Sequence, residues 1–169
     1  GNYVYLGRQN NSSYEFFVFD ITTPSAPLLL GKLEMGDTVN DIVIKGNYAY
    51  IASSDNSGEL TVVDISNPSA PTVAVKFNLT AANSGNANAD GLSVATGKVN
   101  DLYLTRTQSA GKEFYVFNIQ NPVAPTLIGS IDLNGDVREI GVLGNYVDGA
   151  SSDDSQEFQV IDVTTSSST

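Results

Sequence analysis

Glu59-Leu60-Thr61-Val62-Val63-Asp64-Ile65-Ser66-Asn67-Pro68 is the stretch on which the fold turns. It is apolar at almost every position and rich in β-branched residues, the pattern of a strand covered on both faces. The proline beyond Asp64 ends the strand and starts a turn. The block recurs as Glu15-Phe16-Phe17-Val18-Phe19-Asp20-Ile21, as Glu113-Phe114-Tyr115-Val116-Phe117-Asn118-Ile119 and as Glu157-Phe158-Gln159-Val160-Ile161-Asp162-Val163. From Asp20 to Asp64 is 44 residues, from Asp64 to Asn118 is 54, and from Asn118 to Asp162 is 44. The polar insert Thr80–Asp90 accounts for the longer middle spacing.

Other features keep the same phase. Gly46-Asn47-Tyr48-Ala49-Tyr50-Ile51-Ala52 echoes Gly1-Asn2-Tyr3-Val4-Tyr5-Leu6-Gly7 and returns as Gly144-Asn145-Tyr146-Val147, with a looser copy at Asn100–Leu104. Thr-Pro-Ser-Ala-Pro (23–27), Asn-Pro-Ser-Ala-Pro (67–71) and Asn-Pro-Val-Ala-Pro (121–125) follow the first three Glu-led blocks. Strand-like segments come next at Leu28–Leu33, Thr72–Phe77 and Thr126–Ile131, and then at Asp41–Lys45, Asp90–Ala95 and Glu139–Leu143. No stretch has helical periodicity. Four strands per ~45 residues is the period of a β-propeller blade, so the expected fold is all-β, a propeller of four-stranded antiparallel blades. A sandwich would explain the strands but not their phasing in sets of four.

Copies begin near residues 1, 46, 97 and 144, giving repeats over 1–163 and a polar tail or linker at 164–169. If A to D number the blade strands from the axis outward, the order is B-C-D, A-B-C-D, A-B-C-D, A-B-C. That is about 3.5–4 repeats: a small ring or part of a larger propeller. Incomplete blades leave apolar edges, which invite chain–chain contact.

These blocks resemble the LVIVD repeat, most closely over 38–76, and the resemblance extends over nearly the whole chain. Asn118 replaces the aspartate in the third copy. The fourth has Asp148 where the others have Tyr5, Tyr50 and Tyr103, and it lacks the proline turn. The resemblance implies a propeller-like fold and a bacterial or archaeal cell-surface or extracellular setting. It implies no defined activity.

Composition narrows the chemistry. The chain has 169 residues, 41% hydrophobic, which is globular. It opens on Gly1 without an apolar leader, which reads as a mature chain or an excised piece. No run reaches the ~20 apolar residues of a membrane-spanning helix. Eight Lys plus Arg against nineteen Asp plus Glu give a net charge of −11, which opposes nucleic acid and anionic membrane as partners. The absence of Cys and His excludes thiolate nucleophiles, zinc–sulfur sites and a Ser-His-Asp triad. Carboxylates, Lys and Tyr remain.

The expected topology places B–C and D–A connections on one face, where it gathers 14 of the 19 acids against Arg8, Arg106, Lys112 and Arg138. Asp41, Asp90 and Glu139 open the A strands and should ring the channel mouth, where hard oxygen ligands would suit a cation such as calcium. The alternative is that they accept neighbouring backbone N–H groups. Asp132-Leu133-Asn134-Gly135-Asp136 resembles the start of a calcium loop, with Asp132, Asn134 and Asp136 as ligands, but has no acid at the twelfth position. Repetition of Glu15, Glu59, Glu113 and Glu157 in every copy points to a structural role. Asp20, Asp64, Asn118 and Asp162 read as turn caps, a task Asn118 can perform without charge.

The expected function is a non-catalytic surface or secreted module that meets a protein or glycan at the acidic loop face, or serves as a spacer. The alternative is a carboxylate-only enzyme such as a glycosidase on a propeller scaffold, which needs two acids ~5–5.5 Å or ~6.5–9.5 Å apart. Against it, the loops offer only Tyr14 as an aromatic surface.

Overall fold

The computed structural model describes residues 1–79, 90–108 and 111–164. Apart from Asp90 and Thr164, the predicted insert and tail lie outside them. The described elements are fourteen β-strands in four antiparallel sheets. The first sheet is β1 (Tyr3–Gly7), β2 (Phe16–Asp20) and β3 (Leu28–Leu33). The second is β4 (Val39–Lys45), β5 (Tyr48–Ser53), β6 (Leu60–Asp64) and β7 (Thr72–Phe77). The third is β8 (Gly91–Thr96), β9 (Asp101–Arg106), β10 (Phe114–Asn118) and β11 (Thr126–Ile131). The fourth is β12 (Val137–Leu143), β13 (Tyr146–Ser151) and β14 (Phe158–Asp162). Each is a meander in chain order, so the phase read from the sequence is the phase of the sheets.

Local chemistry repeats with that phase. Asp20, Asp64, Asn118 and Asp162 each accept, through Oδ1, the backbone N–H two residues on, at 2.7, 2.8, 2.9 and 2.8 Å. The neutral Asn118 does the same work as the three aspartates, so geometry and not charge is required here. Ile21, Ile65, Ile119 and Val163 then donate their N–H groups to the carbonyls of Asn2, Asn47, Asn100 and Asn145. The turns after the strands close through Ala26, Ala70 and Ala124 N–H to the carbonyls of Thr23, Asn67 and Asn121. Gly46 and Gly144 hold φ of +61° and +62° in the hairpins β4–β5 and β12–β13, a conformation that favours glycine.

Each sheet meets the next near its first strand: β1 lies against β4, β4 against β8, and β8 against β12. Apolar layers fill the interfaces. Phe16 and Val18 pack with Ala49, Ile51 and Val63. Tyr50, Leu60 and Val62 pack with Leu102, Leu104, Tyr115 and Phe117. Tyr103, Phe114 and Val116 pack with Val137, Val147 and Ile161. The Glu-led strands β6 and β10 are buried on both faces, as their composition predicts. β14 is not: it alternates, with Gln159 and Ile161 covered and Phe158 and Val160 open. Among the described residues, no sheet packs on the face that carries Phe158 and Val160, whereas the equivalent face of β6, with Leu60 and Val62, lies against the third sheet.

Candidate functional site

The Glu-led blocks place one carboxylate per sheet at the loop end. Glu15, Glu59 and Glu113 are fully buried. Each accepts, through Oε2, a backbone N–H twenty residues on: Met35 at 3.0 Å, Leu79 at 2.9 Å and Leu133 at 2.8 Å. The glutamate thus clamps the end of the sheet's last strand to the start of the preceding one. Among the described residues Glu157 has no such strand beside it, and it is exposed.

The three acids assigned to the first strands are not equivalent. A β-bulge recurs in β4, β8 and β12 and puts Asp41, Ser93 and Glu139 at the same register position. Asp90 sits one residue before β8, in register with Thr38 and Asp136, where backbone N–H groups bond to the hydroxyls of Thr107, Ser54 and Ser152. The apparent alignment of Asp41, Asp90 and Glu139 therefore slips by three residues at Asp90. Asp41 ties two sheets together: its Oδ2 accepts from Ser93 Oγ at 2.8 Å and from Val94 N at 2.9 Å, and its Oδ1 from Ile42 N at 2.7 Å. Asn40 adds a bond from Nδ2 to the Gly91 carbonyl at 2.7 Å. Glu139 is exposed.

The calcium-like loop is likewise engaged. Asp136 accepts from Gln108 N at 2.6 Å and from Arg138 at 2.7 Å, and Gln108 Nε2 donates to the Asn134 carbonyl at 2.9 Å. Asp132 faces Lys112 at 3.8 Å across an exposed gap. A cation there would have to displace the donors on Asp136. Among the described residues, no three His, Cys, Asp or Glu side chains converge on a metal position.

Sequence reasoning placed Arg106 among the loop cations. It is instead the last residue of β9 and fully buried. Its guanidinium meets Glu59 Oε1 at 3.3 Å and the Tyr115 hydroxyl at 3.4 Å, joining the second sheet to the third. The only available signal was a cation at a position held by Ser53 and Ser151 in other copies. Around this pair burial raises the Asp90 carboxyl, with Asp37 and Glu59 adding to the effect and Arg106 opposing it. Burial also raises Asp37, with Asp55 as the next cause. Asp55 goes the other way: burial is outweighed by Lys76 and Ser57, which hold it below the usual carboxylate range. The Tyr103 phenol is pushed up to about 12 by burial and by Asp101, and Tyr50 and Tyr115 are raised, mainly by burial. None of the three is available as a base near neutral pH.

Comparison with known proteins follows the same lines. The computationally designed Ika8 protein superimposes with a TM-score of 0.67 at 15% identity, over 96% of this chain and 43% of that one. The computationally designed Ika4 protein gives 0.66 at 18% identity, over 96% and 86%. A protein from Lactobacillus plantarum gives 0.67 at 16% identity, over 82% and 42%. The chain thus spans less than half the length of two of these structures and most of the third. At these identities the likeness concerns the fold alone, and that fold is propeller-like. No curated protein matches the chain in sequence. The LVIVD repeat model matches residues 1–34 and 36–79, not the whole chain expected from the sequence blocks. The first two units thus match the LVIVD repeat, over residues 1–34 and 36–79, in a chain whose four described sheets share one architecture.

Proposed function

We propose that the chain is a non-catalytic, propeller-type scaffold module of a secreted or cell-surface protein, which meets a protein or glycan at its acidic loop end. The observation that supports this reading is the employment of the acids. Glu15, Glu59 and Glu113 clamp strands, Asp41 joins β4 to β8, and Asp136 is held by Gln108 and Arg138. A carboxylate glycosidase needs two acids facing a substrate, and these face backbone and neighbouring side chains instead.

The same reading gives the two outer sheets a role in chain–chain contact. Each has three strands among the described residues, and on β1 and β14 they leave Tyr3, Val4, Leu6, Phe158 and Val160 exposed. An open cleft of about 240 Å³ lies between β1 and β4. A strand pair from another polypeptide segment, one beside β14 and one beside β1, would complete both sheets.

Turnover of a panel of aryl β-glycosides from pH 4 to 7, together with binding to an immobilised glycan panel, tests the main reading. Binding without turnover is expected. Turnover lost on Asp90→Asn would establish the enzyme instead.

A further inference from the structure

The contacts between consecutive sheets share one design. Each sheet turns a forward face to the sheet after it and a backward face to the sheet before. The forward face of the first, with Phe16 and Val18, meets Ala49, Ile51 and Val63 of the second. The forward face of the second, with Leu60 and Val62, meets Leu102, Leu104 and Phe117 of the third. Phe114 and Val116 of the third meet Val147 and Ile161 of the fourth. Among the described residues no apolar cluster joins the fourth sheet to the first. Two faces are thus left over, the backward face of the first sheet and the forward face of the fourth. They are the two halves of a contact that the chain already makes between its other sheets.

Both faces are apolar and open. On the first sheet, register sets Val4, Phe19 and Leu29 side by side, and Leu6 beside Phe17. Val4, Leu6 and Leu29 are 43%, 48% and 46% exposed. On the fourth, Phe158 and Val160 hold the positions of Leu60 and Val62 and are open. The charges on the two faces are opposite. Lys32 pairs with Phe17 on the first, and the Arg8 guanidinium lies 5.4 Å from the centre of the same ring. Asp148 pairs with Val160 on the fourth, and Glu139 lies in line with Phe158 across Ala150. Two of the eight basic residues of a chain with net charge −11 therefore sit on one open face, and acids on the other.

Resting on the reading of the outer sheets as chain–chain contacts, we propose that the partner is a second copy of this chain. The forward face of each fourth sheet packs on the backward face of the other copy's first sheet, which closes a two-fold ring of eight sheets. Two such head-to-tail contacts use all four open faces, whereas a face packed on its own equivalent would set like charges together. Two of the propeller-like structures run on for more than half their length beyond the part this chain covers, which is the extent a second set of four sheets would fill. Pairing is concentration-dependent, and the dilute chain is a monomer with both faces in water.

Sedimentation equilibrium over a wide concentration range tests this. A monomer–dimer equilibrium without larger species is expected. Val160→Asp alters one face and Leu6→Asp the other, and each variant alone should associate at least about tenfold more weakly, because both contacts of its dimer then hold an unpaired carboxylate. Mixing fluorescently labelled Val160→Asp with unlabelled Leu6→Asp should restore a 1:1 complex, since one of its two contacts is wild type on both sides, and this rescue also shows that both variants are folded. A wild-type chain that stays monomeric at every concentration overturns the proposal and leaves the non-catalytic scaffold role untouched, because turnover and glycan binding test that role. Open-ended polymers overturn the ring. A dimer indifferent to both substitutions, the result expected if strands pair at β1 and β14 instead, overturns the face-to-face contact, and so does a mixture that shows no rescue.

Discussion

The second and fourth sheets use one sequence block in two ways. In β6, Leu60 and Val62 are wholly buried, whereas their counterparts Phe158 and Val160 in β14 are 67% and 57% exposed. Glu59 clamps the N–H of Leu79, while Glu157 has nothing to clamp. The residues are alike, and the sheet that packs on that face is what differs. Burial is a property of the neighbour as much as of the side chain, and a block with no neighbour keeps its strand but loses one face of its core.

The sharpest way to break this comparison is to place a charge at one register position in both sheets. Val62→Asp buries an unpaired carboxylate and should cost roughly 4 kcal/mol or more. Val160→Asp faces solvent and should stay within about 0.5 kcal/mol of wild type. Urea unfolding of the two variants measures this, and equal costs would refute the assignment of that face of β14 as uncovered.

The glutamates give the next effect. Glu59→Ala leaves the Arg106 guanidinium buried without its carboxylate, at roughly 3 kcal/mol, the lower end for breaking a buried pair. Glu157→Ala should change stability by less than about 0.5 kcal/mol. A large loss from the second variant would mean that the chain, or a second copy of it, already covers β14. Association at the same edge is a smaller effect. Val160→Lys should suppress concentration-dependent self-association in sedimentation runs, because a lysine blunts an open edge. Association unchanged by that residue would remove the edge from the proposed contact.

The smallest effects are those of pH, and their signs differ within one loop end. Asp90 is raised in the folded chain, so its contribution to stability is fully present below the ordinary aspartate value of about 3.9 and is lost as pH rises through the folded value. Asp90→Asn should therefore stabilise at pH 7, with the gain vanishing below about pH 4. Asp55 is lowered, so its contribution is present above the ordinary value and is lost as pH falls through the folded one. Asp55→Asn should accordingly destabilise at pH 7, and progressively less in acid. Thermal melts at the two pH values decide both signs.

Much of this architecture is legible in the chain. The strands and their order follow from the phase of the Glu-led blocks. The caps at Asp20, Asp64, Asn118 and Asp162 follow from the turn chemistry, because both depend on residues a few positions apart. The structural role of Glu15, Glu59 and Glu113 is legible from their repetition, but their partners twenty residues on are not. Asp90 was misaligned with Asp41 and Glu139 because an acid before a strand and an acid at a bulge look alike in one dimension. Arg106 was misread for a related reason: a cation at a strand end reads as a solvated loop residue until a second sheet closes over it.

By itself, then, the sequence determined what is local and periodic: fourteen strands, their meander into four sheets and the polar turns that join them. Tertiary structure alone decided which equivalent positions are buried and which carboxylate meets a guanidinium. The physical reason is that strand formation and turn capping act over a few residues of one chain, whereas desolvation and ion pairing depend on groups fifty residues apart that come together only when sheet packs on sheet.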